Sequence, residues 1–132
     1  MLSHHDRSYC CNAWAFGALS TDRAQAPQRL AVDLPEESVA LLMPSLLQTE
    51  YQHAFGLKVV TVVPQNPFRK LPRIYASVLL LGAATGQSLT ILEGNRLTAM
   101  RTGAVGCLAN DLLARRDADI LALFGAGTQA LT

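Results

Sequence analysis

Three absences narrow the class of this chain before any motif is read. No apolar run approaches the ~20 residues needed to cross a bilayer. The longest, Val78 to Thr85 and Val39 to Leu47 with Pro44 inside, fall well short, so no transmembrane helix is expected. There is no excess of charge either, because 11 basic and 10 acidic residues leave a net +1. No basic block is interleaved with aromatics, which argues against nucleic acid or an anionic membrane as a partner. Cysteine is scarce: there are three, and Cys10 and Cys11 are adjacent. That placement excludes a disulfide framework and suits a reducing, cytoplasmic setting. Internal repeats and low-complexity tracts are also missing. What remains is a globular composition, with 50% of the 132 residues apolar and 16% charged, which supplies a core for one domain and suits a small neutral or anionic ligand.

The start of the chain is atypical. Tyr9 to Leu19 followed by Ala24-Gln25-Ala26 has the outline of a short signal sequence, but Asp6, Asn12 and Gly17 interrupt it. His4, His5, Cys10 and Cys11 are adjacent pairs and lack the spacing of zinc ligands. Residues 1–12 therefore read as a disordered or misassigned lead-in. From Asn12 to about Thr21 the pattern suits the end of a helix, stopped by Ala26-Pro27.

The middle of the chain reads as sheet. Arg29 to Leu34, Ser38 to Leu47, Ala54 to Val63, Ile74 to Leu81 and Ser88 to Leu92 are short apolar runs punctuated by Pro, Gly, Asn and polar clusters, the spacing of antiparallel or mixed strands. Pro64 to Pro72 reads as a loop. A long helix follows from Asn95 or Arg96 to Arg116, with Leu97, Met100, Ala104, Val105, Leu108 and Leu112 in one sector. Strands followed by a helix indicate an α+β domain over residues 13–116.

Two cations stand out against apolar surroundings. Lys58 lies within "FGLKVVTVV", and its ammonium has two outlets: solvent at the sheet face, or a buried anionic partner. Arg101 falls near the centre of the helix's apolar sector, four residues from Leu97 and from Val105. A buried guanidinium is costly without a partner, so either an acidic side chain or a ligand is expected beside it. Arg115 and Arg116 need no such account, because cations in a helix's last turn complement its dipole.

Residues 117–132 then hold an apolar run, Ile120 to Phe124, followed directly by Gly125-Ala126-Gly127-Thr128-Gln129-Ala130. A buried strand opening into G-x-G-x-x-G/A is the order of a dinucleotide-binding turn, although glycines in such an order also serve ordinary turns.

The stretch "RLTAMRTGAVGCLANDLLARRDADILALFGAGTQA" closely resembles the ornithine cyclodeaminase/μ-crystallin family, in its Thr-x-x-Arg-Thr-x-Ala helix, its Leu-Ala-Arg ending and its G-x-G-x-Q-A turn. The resemblance continues upstream through "LKVV", "LP" before Arg73 and Ile74, "LMP" at Leu42 to Pro44, and "AQAPQR" at Ala24 to Arg29. It implies an α+β substrate-binding and dimerisation domain that leads into the start of a truncated Rossmann domain. It also implies NAD or NADP as cofactor, a small amino or imino acid as substrate, and a homodimer. Arg29, Lys58 and Arg101 match the family's carboxylate-holding cations, with Arg101 also reaching the cofactor, and Gly125, Gly127, Thr128 and Gln129 match the cofactor turn. No catalytic residue is matched, since the family's catalytic aspartate would lie past Thr132, and an isolated chain of this length is expected to be inactive. A non-catalytic module that dimerises or binds a small carboxylate is the alternative.

Three departures qualify the resemblance. A position near the cofactor that is commonly threonine is Arg73 here. Ornithine-type members tend to place an acidic residue just before Leu-Met-Pro, where this chain has Leu41. The family's first strand and most of its first helix have no counterpart in "MLSHHDRSYCCN".

Overall fold

A computed structural model describes residues 4–50 and 53–130 and divides the chain into two compact units, Ala18–Asn95 and Met1–Gly17 with Arg96–Thr132. The first unit is a sheet. The second holds the bodies of two helices and the residues after them.

Helix α1 spans His4–Ser20, so regular structure begins well before Asn12, within the stretch expected to be disordered. It ends where the backbone turns left-handed at Asp22, φ 56°. Arg23 N–H donates to Ala18 O at 2.8 Å and Asp22 N–H to Leu19 O at 3.4 Å, a Schellman closure that satisfies the last carbonyls of the helix. The side chains of His4 and His5 lie outside the described residues, and the described Cys10, Cys11 and Cys107 are exposed free thiols.

Strand β1 (Ala24–Gln25), missed by the pattern because it is too short to show alternation, pairs with the far end of β3. The other strands fall where the apolar runs place them: β2 Leu30–Leu34, β3 Ser38–Gln48, β4 His53–Val62, β5 Ile74–Gly82 and β6 Ser88–Glu93. The sheet is six-stranded and every pairing is antiparallel, in the order β1-β3-β4-β5-β6 with β2 also on β3. Pro44 sits between the segments of β3 that pair with β1 and β2. That stretch has no outer neighbour, which is where a missing N–H costs a sheet least. Strand β6 is exposed along its whole length, Leu89 and Ile91 included.

The connections are built from left-handed residues. Glu36 and Glu37, φ 58° and 56°, close the β2–β3 hairpin, with Ser38 N–H donating to Pro35 O, and Gly86 at φ 71° turns β5 into β6. The Pro64 to Pro72 loop holds a 3-10 turn at Asn66–Arg69. Buried Asn66 spans it, donating from Nδ2 to Pro72 O at 2.9 Å.

Helix α2 covers Gly94–Leu113 and stops short of the expected Arg116. Arg115 and Arg116 thus lie beyond the last turn rather than on it, and Arg115 instead approaches Asp117 at 3.7 Å. Between the helices, Tyr9 Oη donates to Asp111 Oδ2 at 2.6 Å. Ile120 to Phe124 is not a strand, because a strand requires a ladder partner for its backbone groups and none pairs with it among the described residues.

Gly94 is dictated by space. A Cβ there would come within 2.8 Å of the Ala76 backbone carbon on β5, whereas one at Gly106, in the interior of α2, would meet nothing within 4 Å. Gly94→Ala is expected to lower stability by about 1–3 kcal/mol, while Gly106→Ala raises it by about 0.5–1 kcal/mol through reduced backbone freedom. Urea unfolding of the two variants checks the opposite signs.

The Asp111 hydrogen bond, with a lesser contribution from desolvation and from the carboxylate charge, raises the Tyr9 phenol above its ordinary 10.0. The neutral phenol is the donor, so the bond is intact below the ordinary value and is lost as pH rises through the raised one. Ultraviolet titration should show one phenol ionising late, and Asp111→Asn should bring it down.

Candidate functional site

The sheet's register sorts its side chains onto two faces. Lys58 on β4 is opposite Met43 on β3 and Val78 on β5, and side chains at directly opposed positions share a face. With Lys58 on that face lie Leu41, Val60, Ala76, Leu80 and Leu92. Val60 and Ala76 are buried, and Lys58 itself is half-buried. Its cross-strand neighbours are apolar, and in such surroundings desolvation strengthens any interaction with an anion.

Arg29 is exposed and immediately precedes β2. Leu30 pairs with Leu42, so continuing the register by one residue sets Arg29 level with Met43, whose other neighbour is Lys58. Arg29 itself stands one residue outside the paired part of β2, and Met43 pairs with Lys58. Leu41, two residues from Met43 on the same face, is apolar as well.

Arg101 departs from expectation. It belongs to the other compact unit and its side chain is exposed, as are Leu97 at 46% and Leu112 at 70%. The buried residues of α2 are Gly94, Ala99, Ala104 and Leu108. A six-residue apolar stripe overstated the covered face, because small residues are what this helix buries most completely. Without desolvation the argument that Arg101 must have an anionic partner falls away. Arg73 is also exposed, its carbonyl accepting from Val63 N–H at 2.8 Å.

Gly125 to Ala130 holds a bend and one 3-10 turn rather than a strand-to-helix junction. Gly125 has φ 91°, a conformation that side chains rarely adopt, and a Cβ at either Gly125 or Gly127 would meet nothing within 4 Å. Thr128–Ala130 makes one 3-10 turn, with Ala130 N–H donating to Gly127 O at 2.9 Å. Neither glycine is crowded by its surroundings. No group of three or more potential metal ligands occurs among the described residues.

Arg101→Ala is expected to change unfolding free energy by less than about 0.5 kcal/mol, as for other solvated surface positions. Chemical denaturation checks it; a loss of several kcal/mol would restore the buried-cation reading.

Among known proteins, the model of the ornithine cyclodeaminase/mu-crystallin family matches residues 9–132. A Delta(1)-pyrroline-2-carboxylate reductase from Bacillus cereus is 41% identical over 119 residues, which are 89% of this chain and 36% of that protein. The chain thus spans little more than a third of that relative's length. Among solved structures, Thermococcus litoralis Delta(1)-pyrroline-2-carboxylate reductase with NADH and L-proline superposes with a TM-score of 0.86 at 37% identity, over 98% of this chain and 40% of its own. An archaeal alanine dehydrogenase dimer with bound NAD gives 0.89 at 31% identity, over 98% and 39%. Coverage of 98% brings almost the whole start of this chain into the superposition.

Proposed function

Because the chain belongs to the ornithine cyclodeaminase/mu-crystallin family, we propose that it carries the substrate-binding part of an NAD(P)-dependent oxidoreductase acting on a small amino or imino acid. The observation that carries this reading is Lys58, half-buried on the central strand opposite Met43. In this reading Lys58 and Arg29 hold the substrate carboxylate, with Arg101 as a third cation that also meets the cofactor. A charge-assisted pair of this kind fixes a carboxylate in orientation as well as place.

Leu41 sharpens the choice of substrate. It stands on the Lys58 face where a second amine would need an acidic partner, so a cyclic imino acid with an apolar ring fits better than ornithine, which would bury an unpaired ammonium. This agrees with the reductases of pyrroline-2-carboxylate among the relatives.

Segment 117–132 is, in the same reading, the opening of a dinucleotide-binding domain. Gly125 and Gly127 let backbone approach a pyrophosphate, and Thr128 and Gln129 supply the first N–H groups beyond it. NAD or NADP would there exchange a hydride with the substrate carbon. This chain's own residues contribute binding and orientation, and the proton-transferring group is not among those assigned.

A pairing role is favoured by a separate observation, the sheet's other face. Leu30, Val32, Leu34, Leu42, Leu57, Val59, Tyr75, Leu79 and Ile91 share it. Val32, Tyr75 and Ile91 are 43%, 42% and 74% exposed. A flat apolar face of this kind fits a homodimer, with or without catalysis.

Binding of L-proline or pyrroline-2-carboxylate to the 132-residue chain, followed by amide chemical shifts, should perturb β3 and β4 around Met43 and Lys58. Lys58→Met should weaken binding about tenfold or more, the loss of one charged hydrogen bond. The chain alone should not consume NADH. Perturbation elsewhere, or equal binding by Lys58→Met, overturns the assignment.

A further inference from the structure

The thiols of Cys10, Cys11 and Cys107 are free, exposed and outside the candidate site. Cys10 and Cys11 lie on α1 and Cys107 on α2, all within the same compact unit. A bond between Cys10 and Cys11 is ruled out by the backbone, because adjacent Cα atoms are only about 3.8 Å apart and a disulfide spans about 4.4–6.8 Å. Any bridge within the chain must therefore use Cys107. The two helices are tied at one point beside it. Tyr9 Oη donates to Asp111 Oδ2 at 2.6 Å, Cys10 directly follows Tyr9, and Cys107 stands one helical turn before Asp111. Residues one turn apart share a side of the helix, so Cys107 and Asp111 present together. Cys11, by contrast, stands about 200° round α1 from Tyr9. The phenol registers both of the nearer thiols: after the Asp111 hydrogen bond, desolvation and the Asp111 charge, the charges of Cys10 and Cys107 help to raise its pKa.

We propose that Cys10 and Cys107 form a reversible oxidation site, at which a low-molecular-weight disulfide such as oxidised glutathione joins α1 to α2 through a bridge between the two sulfurs. The chemistry is two successive thiol–disulfide exchanges. One protein thiolate attacks a sulfur of oxidised glutathione, the S–S bond breaks, and a glutathione thiolate leaves and takes up the proton that the protein lost. The second protein thiolate then attacks the protein sulfur of the mixed disulfide, and the other glutathione leaves in the same way. Two protein thiols are thereby oxidised, and one glutathione disulfide is reduced to two thiols. Exposure brings the reagent to both sulfurs, and the bond from Tyr9 to Asp111 supplies the alignment that favours closure over a second adduct. A cross-link between residues so distant in sequence restrains the unfolded chain, so the oxidised form is the more stable one. The site uses none of the residues assigned to the carboxylate or the cofactor, and stands whether or not those assignments do.

The test treats the full 132-residue chain with oxidised glutathione and maps its disulfides by mass spectrometry after digestion without reductant. The expected product is a peptide pair joining Cys10 to Cys107, lost on reduction with dithiothreitol, and the oxidised chain should unfold at a higher urea concentration. Cys11→Ser keeps both the cross-link and the shift, whereas Cys107→Ser loses both and stops at glutathione adducts. Asp111→Ala leaves every thiol in place but removes the alignment, and should slow closure about fivefold, the worth of one hydrogen bond. Circular dichroism matching that of the parent shows that the variants keep their helices. Four results overturn the proposal: glutathione adducts without a cross-link in the parent chain, a bridge from Cys11 that forms as readily as one from Cys10, cross-linking between chains in place of within them, or closure that is indifferent to Asp111→Ala.

Discussion

The ladder between β3 and β4 is the constraint from which the candidate site follows. It runs without interruption from Val39 opposite Val62 to Gln48 opposite His53. Strand side chains alternate, so a slip of one residue would carry Lys58 to the opposite face and bring Leu57 or Val59 into its place. The hydrophobic pattern alone resists that slip weakly, because both faces are apolar. The register is held instead at its ends and by its neighbours: the Glu36–Glu37 turn, β1 on one end of β3, and the anchored loop at Asn66 beyond β4. A site that depends on one lysine's direction is therefore secured by turns that carry no chemistry.

This division explains what could be read in advance. Strands β2 to β6 were legible because each is a short apolar run bounded by turn residues, and their ends agree with the runs to within a residue or so. Lys58 was legible as a charge out of keeping with its surroundings. Arg101 was legible as a residue of interest, but for a reason that does not hold. Helical periodicity records which residues are apolar, not which are covered, and α2 buries Ala99 and Ala104 while leaving Leu112 in solvent. Tertiary cover is not a property of a segment.

The remaining misses share a cause. Strand β1 exists only because β3 offers it an edge, and α1 reaches back to His4 although its early residues carry no apolar stripe. Ile120 to Phe124 is the converse case, a run with every local mark of a strand and no ladder to join. Local sequence states a preference; the presence of a partner decides whether it is realised. In the residues after that run, Gly125 has φ 91°.

Strand β6 has a bearing on how the protein behaves as a material. Among the described residues it pairs with β5 alone, its six residues are all exposed, and it contains neither proline nor lysine to discourage pairing. The net charge of +1 supplies little repulsion between molecules. An exposed edge and a small net charge both favour association, most of all near the isoelectric point of about 7.8. A buffer well away from that pH, or a single lysine introduced on β6, would do more for solubility than any change to the site itself.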